Sequence, residues 1–141
     1  MPACPTLVII LPHLVWQWVS KLRAISSKFC IYVYFGDACE KPLVHVLLLE
    51  KLSAQSAVFE DRPENNSAVV ITSYQTLNSC HGPGRHAHWM QQTQCGRVSA
   101  GTAHQTMCPS WGASLDGLFR LVILDEAHML RNSHAHISTC I

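Results

Sequence analysis

Apolar residues in this chain fall into short continuous runs, separated by stretches in which they recur at helical spacing. Residues 6–11, TLVIIL, form an unbroken β-branched and aliphatic run, as in a strand buried on both faces of a parallel sheet. Pro12 ends it. Residues 13–27 switch to a helical period, with Val15, Trp18 or Val19, Leu22 and Ile25 on one face and Lys21 and Arg23 off that stripe. Residues 29–35 predict a second strand, stopped by Gly36-Asp37. Pro42 suits the first turn of a helix, and Leu43, Val46 and Leu47 begin an apolar face behind it. A helix from Pro42 to about Leu52 is therefore predicted, with Glu50 interrupting its stripe. A polar turn at 61–66, a third strand at 68–72 and a fourth at 118–124 complete the pattern.

Strand, helix, strand, helix, strand is the βαβ rhythm, and it predicts an α/β fold with one parallel sheet and flanking helices. Residues 78–116 break the rhythm. They are rich in Gly, His, Gln, Ser and Thr with weak periodicity, and they read as a disordered or loop insertion within the domain.

Composition narrows the picture. The 141 residues suffice for one domain with one core. Charged residues are only 13 %, roughly half the usual share, so part of the surface is expected to be covered by something else. A formal net charge of +1 gives no field able to gather nucleic acid or an anionic membrane by itself. The seven cysteines are odd in number and form no CxxC, which argues against a disulfide scaffold. No apolar run is long enough for a membrane span and no basic leader precedes one, so an intracellular, reducing compartment is expected. His81, His86, His88, Cys95, His104 and Cys108 lack the short paired spacings of a zinc site, and no structural zinc is expected.

The chemistry concentrates at residues 121–128, LVILDEAH. An apolar strand ending in Asp125-Glu126 sets two carboxylates at the C-terminal edge of the sheet, where open α/β sheets bind ligands. Nucleotide hydrolysis needs such a pair: one carboxylate to hold hydrated Mg²⁺ and one to orient or deprotonate the attacking water. An Asp-Glu pair that merely opens a helix, where the dipole favours anions, is the plainer alternative. On the first reading Asp125 takes the metal, Glu126 the water, and His128 couples the site to a neighbouring element.

Residues 121–132, LVILDEAHMLRN, resemble the DEAH-containing motif II of SNF2-family helicase-like ATPases of superfamily 2. Residues 5–18, PTLVIILPHLVWQW, are similar to that family's motif Ia, and residues 69–77, VVITSYQTL, to its ITTY-containing segment. The resemblance implies an incomplete RecA-like first ATPase lobe over 1–141. It implies that Asp125 and Glu126 bind ATP with Mg²⁺, that Glu126 and His128 act in catalysis, and that His128, Arg131 and Asn132 couple ATP state to DNA tracking. Thr72, Ser73 and Tyr74 match a segment close to the nucleic-acid backbone. His13 stands where a small hydroxyl residue is common, with Leu11 in place of the usual proline. Trp16 and Trp18 suit stacking platforms or, more commonly for an amphipathic helix, core positions.

One element of such a motor is absent from these residues: no GxxxxGK[ST] phosphate loop occurs. The parent implied by the resemblance is a nuclear, DNA-dependent ATP hydrolase that translocates on duplex DNA in chromatin remodelling or repair. Its partners would include an N-terminal segment and a second ATPase lobe. The isolated chain is expected to bind ATP and Mg²⁺ weakly and to be inactive. The alternative is a non-catalytic protein-binding or decoy module that docks other proteins through an uncovered sheet. No membrane is expected.

Overall fold

The computed structural model describes residues 3–34, 47–49, 51–93 and 111–130. Strand β1 (Thr6–Ile10) leads through a 3-10 turn at Pro12–Leu14 into helix α1 (Val15–Ile25). Then come β2 (Cys30–Tyr34), β3 (Leu47–Leu49) and β4 (Ala68–Ser73). Helices α2 (Tyr74–His81) and α3 (Pro83–Thr93) precede β5 (Leu121–Leu124). The sheet has the order β3-β2-β4-β1-β5, and every pairing is parallel.

Side chains alternate across this sheet and meet two separate cores. On one face Val8, Ile10, Ile31, Val33, Val69 and Ile71 pack against Val15 and Val19 of α1. On the other, Leu7, Ile9, Tyr32, Tyr34 and Val70 pack against Tyr74 and Leu77 of α2 and against Val58, Phe59 and Leu115. Burial on both sides explains why the central strands read as unbroken apolar runs instead of alternating ones. The helical stripe runs out one turn early: Val15 and Val19 are buried, whereas Ile25 is 73 % exposed.

Three expectations are corrected. Leu47–Leu49 is a strand, not part of a helix from Pro42; it pairs with Tyr32–Tyr34 and satisfies the backbone on that side of β2. Residues 42–46 lie outside the described residues. The proposed insertion at 78–116 is not a loop over its first part, because α2 and α3 occupy residues 74–93. Gly82 joins the two helices, where a Cβ would collide with the Asn78 carbonyl oxygen. Farther on, Trp111 and Leu115 are buried. Residues 94–110, with Cys95, His104 and Cys108, lie outside the described residues. The polar segment at 61–66 is also more than a turn, since it enters a 3-10 helix at Pro63–Ser67 whose Asn65 is buried.

Buried polar groups knit the loops to the sheet. Asn65 donates through Nδ2 to the Ala57 and Glu60 carbonyls, both at 2.9 Å, and its Oδ1 accepts from the Tyr32 hydroxyl at 3.2 Å. His81 Nδ1–H donates to the Ala113 carbonyl at 2.6 Å, which leaves Nε2 to accept from the Tyr34 hydroxyl at 3.0 Å. Histidine at 81 is thus a core tie, not a residue of a solvated insertion. His86 is buried as well, between Trp89 and Trp111.

Replacing Asn65 with Ala strands the buried Tyr32 hydroxyl and removes the bonds to the part-buried Ala57 and Glu60 carbonyls, and urea unfolding should show a loss of about 1–3 kcal/mol. Burial lowers the His81 pKa below its ordinary 6.5, partly offset by the Ala113 carbonyl. The unfolded chain therefore binds this proton first as pH falls. The contribution of neutral His81 is complete above about pH 6.5 and declines as the pH drops from there toward the lowered value. Between about pH 7.5 and 5.5, unfolding free energy should fall more steeply in the wild type than in His81→Gln, by up to about 1 kcal/mol per pH unit.

Candidate functional site

A parallel ladder delivers every strand's C-terminus to the same edge. Ile10 lies opposite Ser73, Ile9 opposite Leu124, and Tyr34 opposite Thr72, so the ends of β1, β2, β4 and β5 are side by side. After β1 the chain passes to α1 on one face, and after β4 it passes to α2 on the other. Neighbouring strands whose connections leave on opposite faces open a crevice between them, the usual ligand position in such sheets.

Asp125 and Glu126 follow directly on β5 at this edge. Every polar group of Asp125 has a partner. Its N–H donates to the Ile9 carbonyl at 3.0 Å, and its carbonyl accepts from the Tyr74 hydroxyl at 2.6 Å. Its carboxylate accepts from the Glu126 N–H at Oδ1 (3.0 Å) and from the Trp18 indole N–H at Oδ2 (2.7 Å). Burial, and then the Asp125 and Glu126 charges, raise the Tyr74 pKa, which keeps its hydroxyl a donor.

Glu126 has φ of 58°, a left-handed conformation unusual for a residue with a side chain. That turn breaks the strand direction between the two acidic residues. The Glu126 carboxylate meets His128 Nδ1 at 3.0 Å. Both side chains are largely exposed, so this pair orients more than it stabilises. Arg131 and Asn132 lie outside the described residues.

The remaining candidates divide. His13 is exposed, just past the end of β1. Thr72, Ser73 and Tyr74 reach the same edge but are buried. Thr72 donates to the Tyr34 carbonyl at 2.8 Å. Ser73 donates to Thr76 Oγ1 at 3.0 Å while capping α2 by accepting from the Thr76 N–H at 3.1 Å. The donor hydrogens of Thr72 and Ser73 are spent within the fold. The accessible groups nearby are His13 and Gln75.

Trp18 is the site residue that sequence reasoning missed. The helical pattern marked it only as a core or stacking position. The signal was its polar edge: a half-buried indole needs an acceptor for its N–H, and α1 follows the strand that pairs with β5. In sequence the two residues are 107 positions apart, and only the sheet brings them together.

The donor chemistry suits magnesium. Asp125 offers two hard oxygens that each accept one hydrogen bond and retain a further lone pair. One carboxylate acting through waters, alongside phosphate oxygens, is an ordinary protein contribution to bound Mg²⁺. Among the described residues no group of three or more His, Cys, Asp or Glu side chains converges as a metal cage.

A family model described as SNF2-related domain matches residues 3–141. Comparison with curated proteins and with solved structures returned no match.

The left-handed turn predicts a stability contrast. Glu126→Gly should unfold within about 0.5 kcal/mol of the wild type or above it, whereas β-branched Glu126→Val should lose about 1–2 kcal/mol by urea denaturation.

Proposed function

Because the chain belongs to the SNF2-related domain family, we propose that it carries the acidic half of the ATP site of a nuclear, DNA-tracking ATPase. The family is one of ATPases that generally use ATP and Mg²⁺ and generally bind DNA. Its incomplete RecA-like sheet is present here as five parallel strands with flanking helices.

In this reading Asp125 holds a hydrated magnesium ion and Glu126 orients, then deprotonates, the attacking water. Magnesium when bound neutralises charge on the phosphate oxygens. Tyr74 and the Ile9 carbonyl anchor the Asp125 backbone, so the carboxylate reaches the edge from a fixed origin. The left-handed turn lets Glu126 leave in a different direction, dividing metal and water duties between adjacent residues. In this reading His128, which pairs with the Glu126 carboxylate, reports its state and acts with Arg131 and Asn132 to couple it to DNA. His13, with Gln75 beside the Thr72-Ser73-Tyr74 framework, approaches the nucleic-acid backbone.

The observation that carries this reading is the gathering of the acidic pair, the end of β1 and the end of β4 at one switch point of a parallel sheet. These 141 residues contain no phosphate loop, so they constitute half of a site and do not turn over ATP alone. A second reading, a protein-docking module derived from such a lobe, is favoured by β5. Among the described residues it pairs with β1 alone, and Leu121 is 52 % exposed.

Purified chain with Mg²⁺, ATP and duplex DNA should show no turnover above background, and weak ATP affinity that Asp125→Asn weakens further. Turnover abolished by Glu126→Gln would reveal a complete site and overturn the half-site reading. ATP binding in Mg²⁺ that is indifferent to substitution of either carboxylate would overturn the assignment of the acidic pair.

A further inference from the structure

Trp18 plays no part in the chemistry proposed above, yet it makes the shorter of the two hydrogen bonds to the Asp125 carboxylate. Its ring packs with the α1-side core, a role any large apolar residue could fill. Its indole N–H does something more specific. It spans from α1 to the turn after β5 and donates to Asp125 Oδ2 at 2.7 Å, the short distance of a charge-assisted bond.

Asp125 is only partly buried, so water can solvate its carboxylate and the bond is not needed to rescue a buried charge. What the bond adds is orientation. With Glu126 N–H on Oδ1 and Trp18 N–H on Oδ2, the carboxylate plane is held by two donors on different elements. An indole N–H donates and never accepts, so it always presents the same face to the oxygen. The remaining lone pairs are thereby kept in one orientation.

We infer that Trp18 is a positioning residue for the cation site: its indole N–H locks the Asp125 carboxylate in the rotation that receives a hydrated divalent ion. The inference rests on the reading of Asp125 as the magnesium-holding carboxylate. Outer donors that orient a metal ligand commonly change metal affinity by about tenfold or more when removed.

The test uses the full chain and Mn²⁺ alone, a paramagnetic substitute for Mg²⁺. Free Mn²⁺ is followed by electron paramagnetic resonance, and the four indole N–H signals are followed in nitrogen-15 NMR spectra. Mn²⁺ should broaden the Trp18 indole signal before those of Trp89 and Trp111. Trp18→Phe should weaken Mn²⁺ affinity about tenfold while unfolding remains cooperative. Trp18→His, which restores a ring N–H, should recover part of that loss. Asn65→Ala, destabilised away from the site, should bind as the wild type does.

Wild-type affinity in Trp18→Phe, with affinity lost in Asp125→Asn, would overturn the role of Trp18 and leave the proposed function standing. Wild-type affinity in Asp125→Asn, or no saturable binding at all, would overturn Asp125 as the cation ligand and the inference with it. If Trp18→Phe fails to fold, the wild-type spectrum decides. A Trp18 indole signal that Mn²⁺ does not broaden, or that does not move in Asp125→Asn, overturns the inference.

Discussion

Strands that all run in one direction bring their carboxyl ends to a single edge, and the pairing of β1 with β4 on one side and β5 on the other is the constraint on which the rest of this molecule depends. Among the described residues β1 alone pairs with both the strand that ends in Ser73 and the strand that ends before Asp125. Its Ile9 carbonyl accepts the Asp125 N–H, so the ladder continues one step past β5 and sets where the acidic turn begins. Because β1 and β4 send their connections to opposite faces, the same pairing opens the crevice beside that turn.

Apolar burial on two faces supplies the driving force for the sheet, but side-chain hydrogen bonds decide how its loops lie. Asn65 holds two irregular segments and the Tyr32 hydroxyl together, and His81 ties the end of α2 to Tyr34 and to the segment that leads toward β5. Each is a buried polar group whose removal leaves other buried groups without partners, so each contributes through the cost of its absence. Thr72 and Ser73 belong to the same class: their hydroxyls join β4 to β2 and start α2.

At the edge, electrostatics and backbone geometry act together. Asp125 is anchored through four polar groups by residues from β1, α1, α2 and its own turn. Glu126 is set apart from it by a left-handed backbone, a local cost of about 1–2 kcal/mol that the surrounding contacts offset. Two carboxylates on consecutive residues thus acquire different surroundings, one fixed and one turned outward beside His128.

Much of this was legible from residues alone. Residues 6–11, 29–35 and 68–72 announced buried parallel strands because double-sided burial leaves no polar alternation, and LVILDEAH announced an acidic turn after a strand. Local patterns failed where long-range pairing overrode them. Leu47–Leu49 became a strand because β2 had backbone groups to satisfy, and residues 74–93 became helices whose buried His81 composition alone had marked as polar. Thr72 turned inward because the Tyr34 carbonyl across the sheet, invisible in sequence, offered an acceptor, whereas Ser73 is held locally by Thr76 as it caps α2. The chain by itself determined which residue types reach the C-terminal edge. Only the tertiary structure decided which of them remain accessible there, and that Trp18, 107 positions away, would hold Asp125, because hydrogen-bond geometry depends on distance in space and not along the chain.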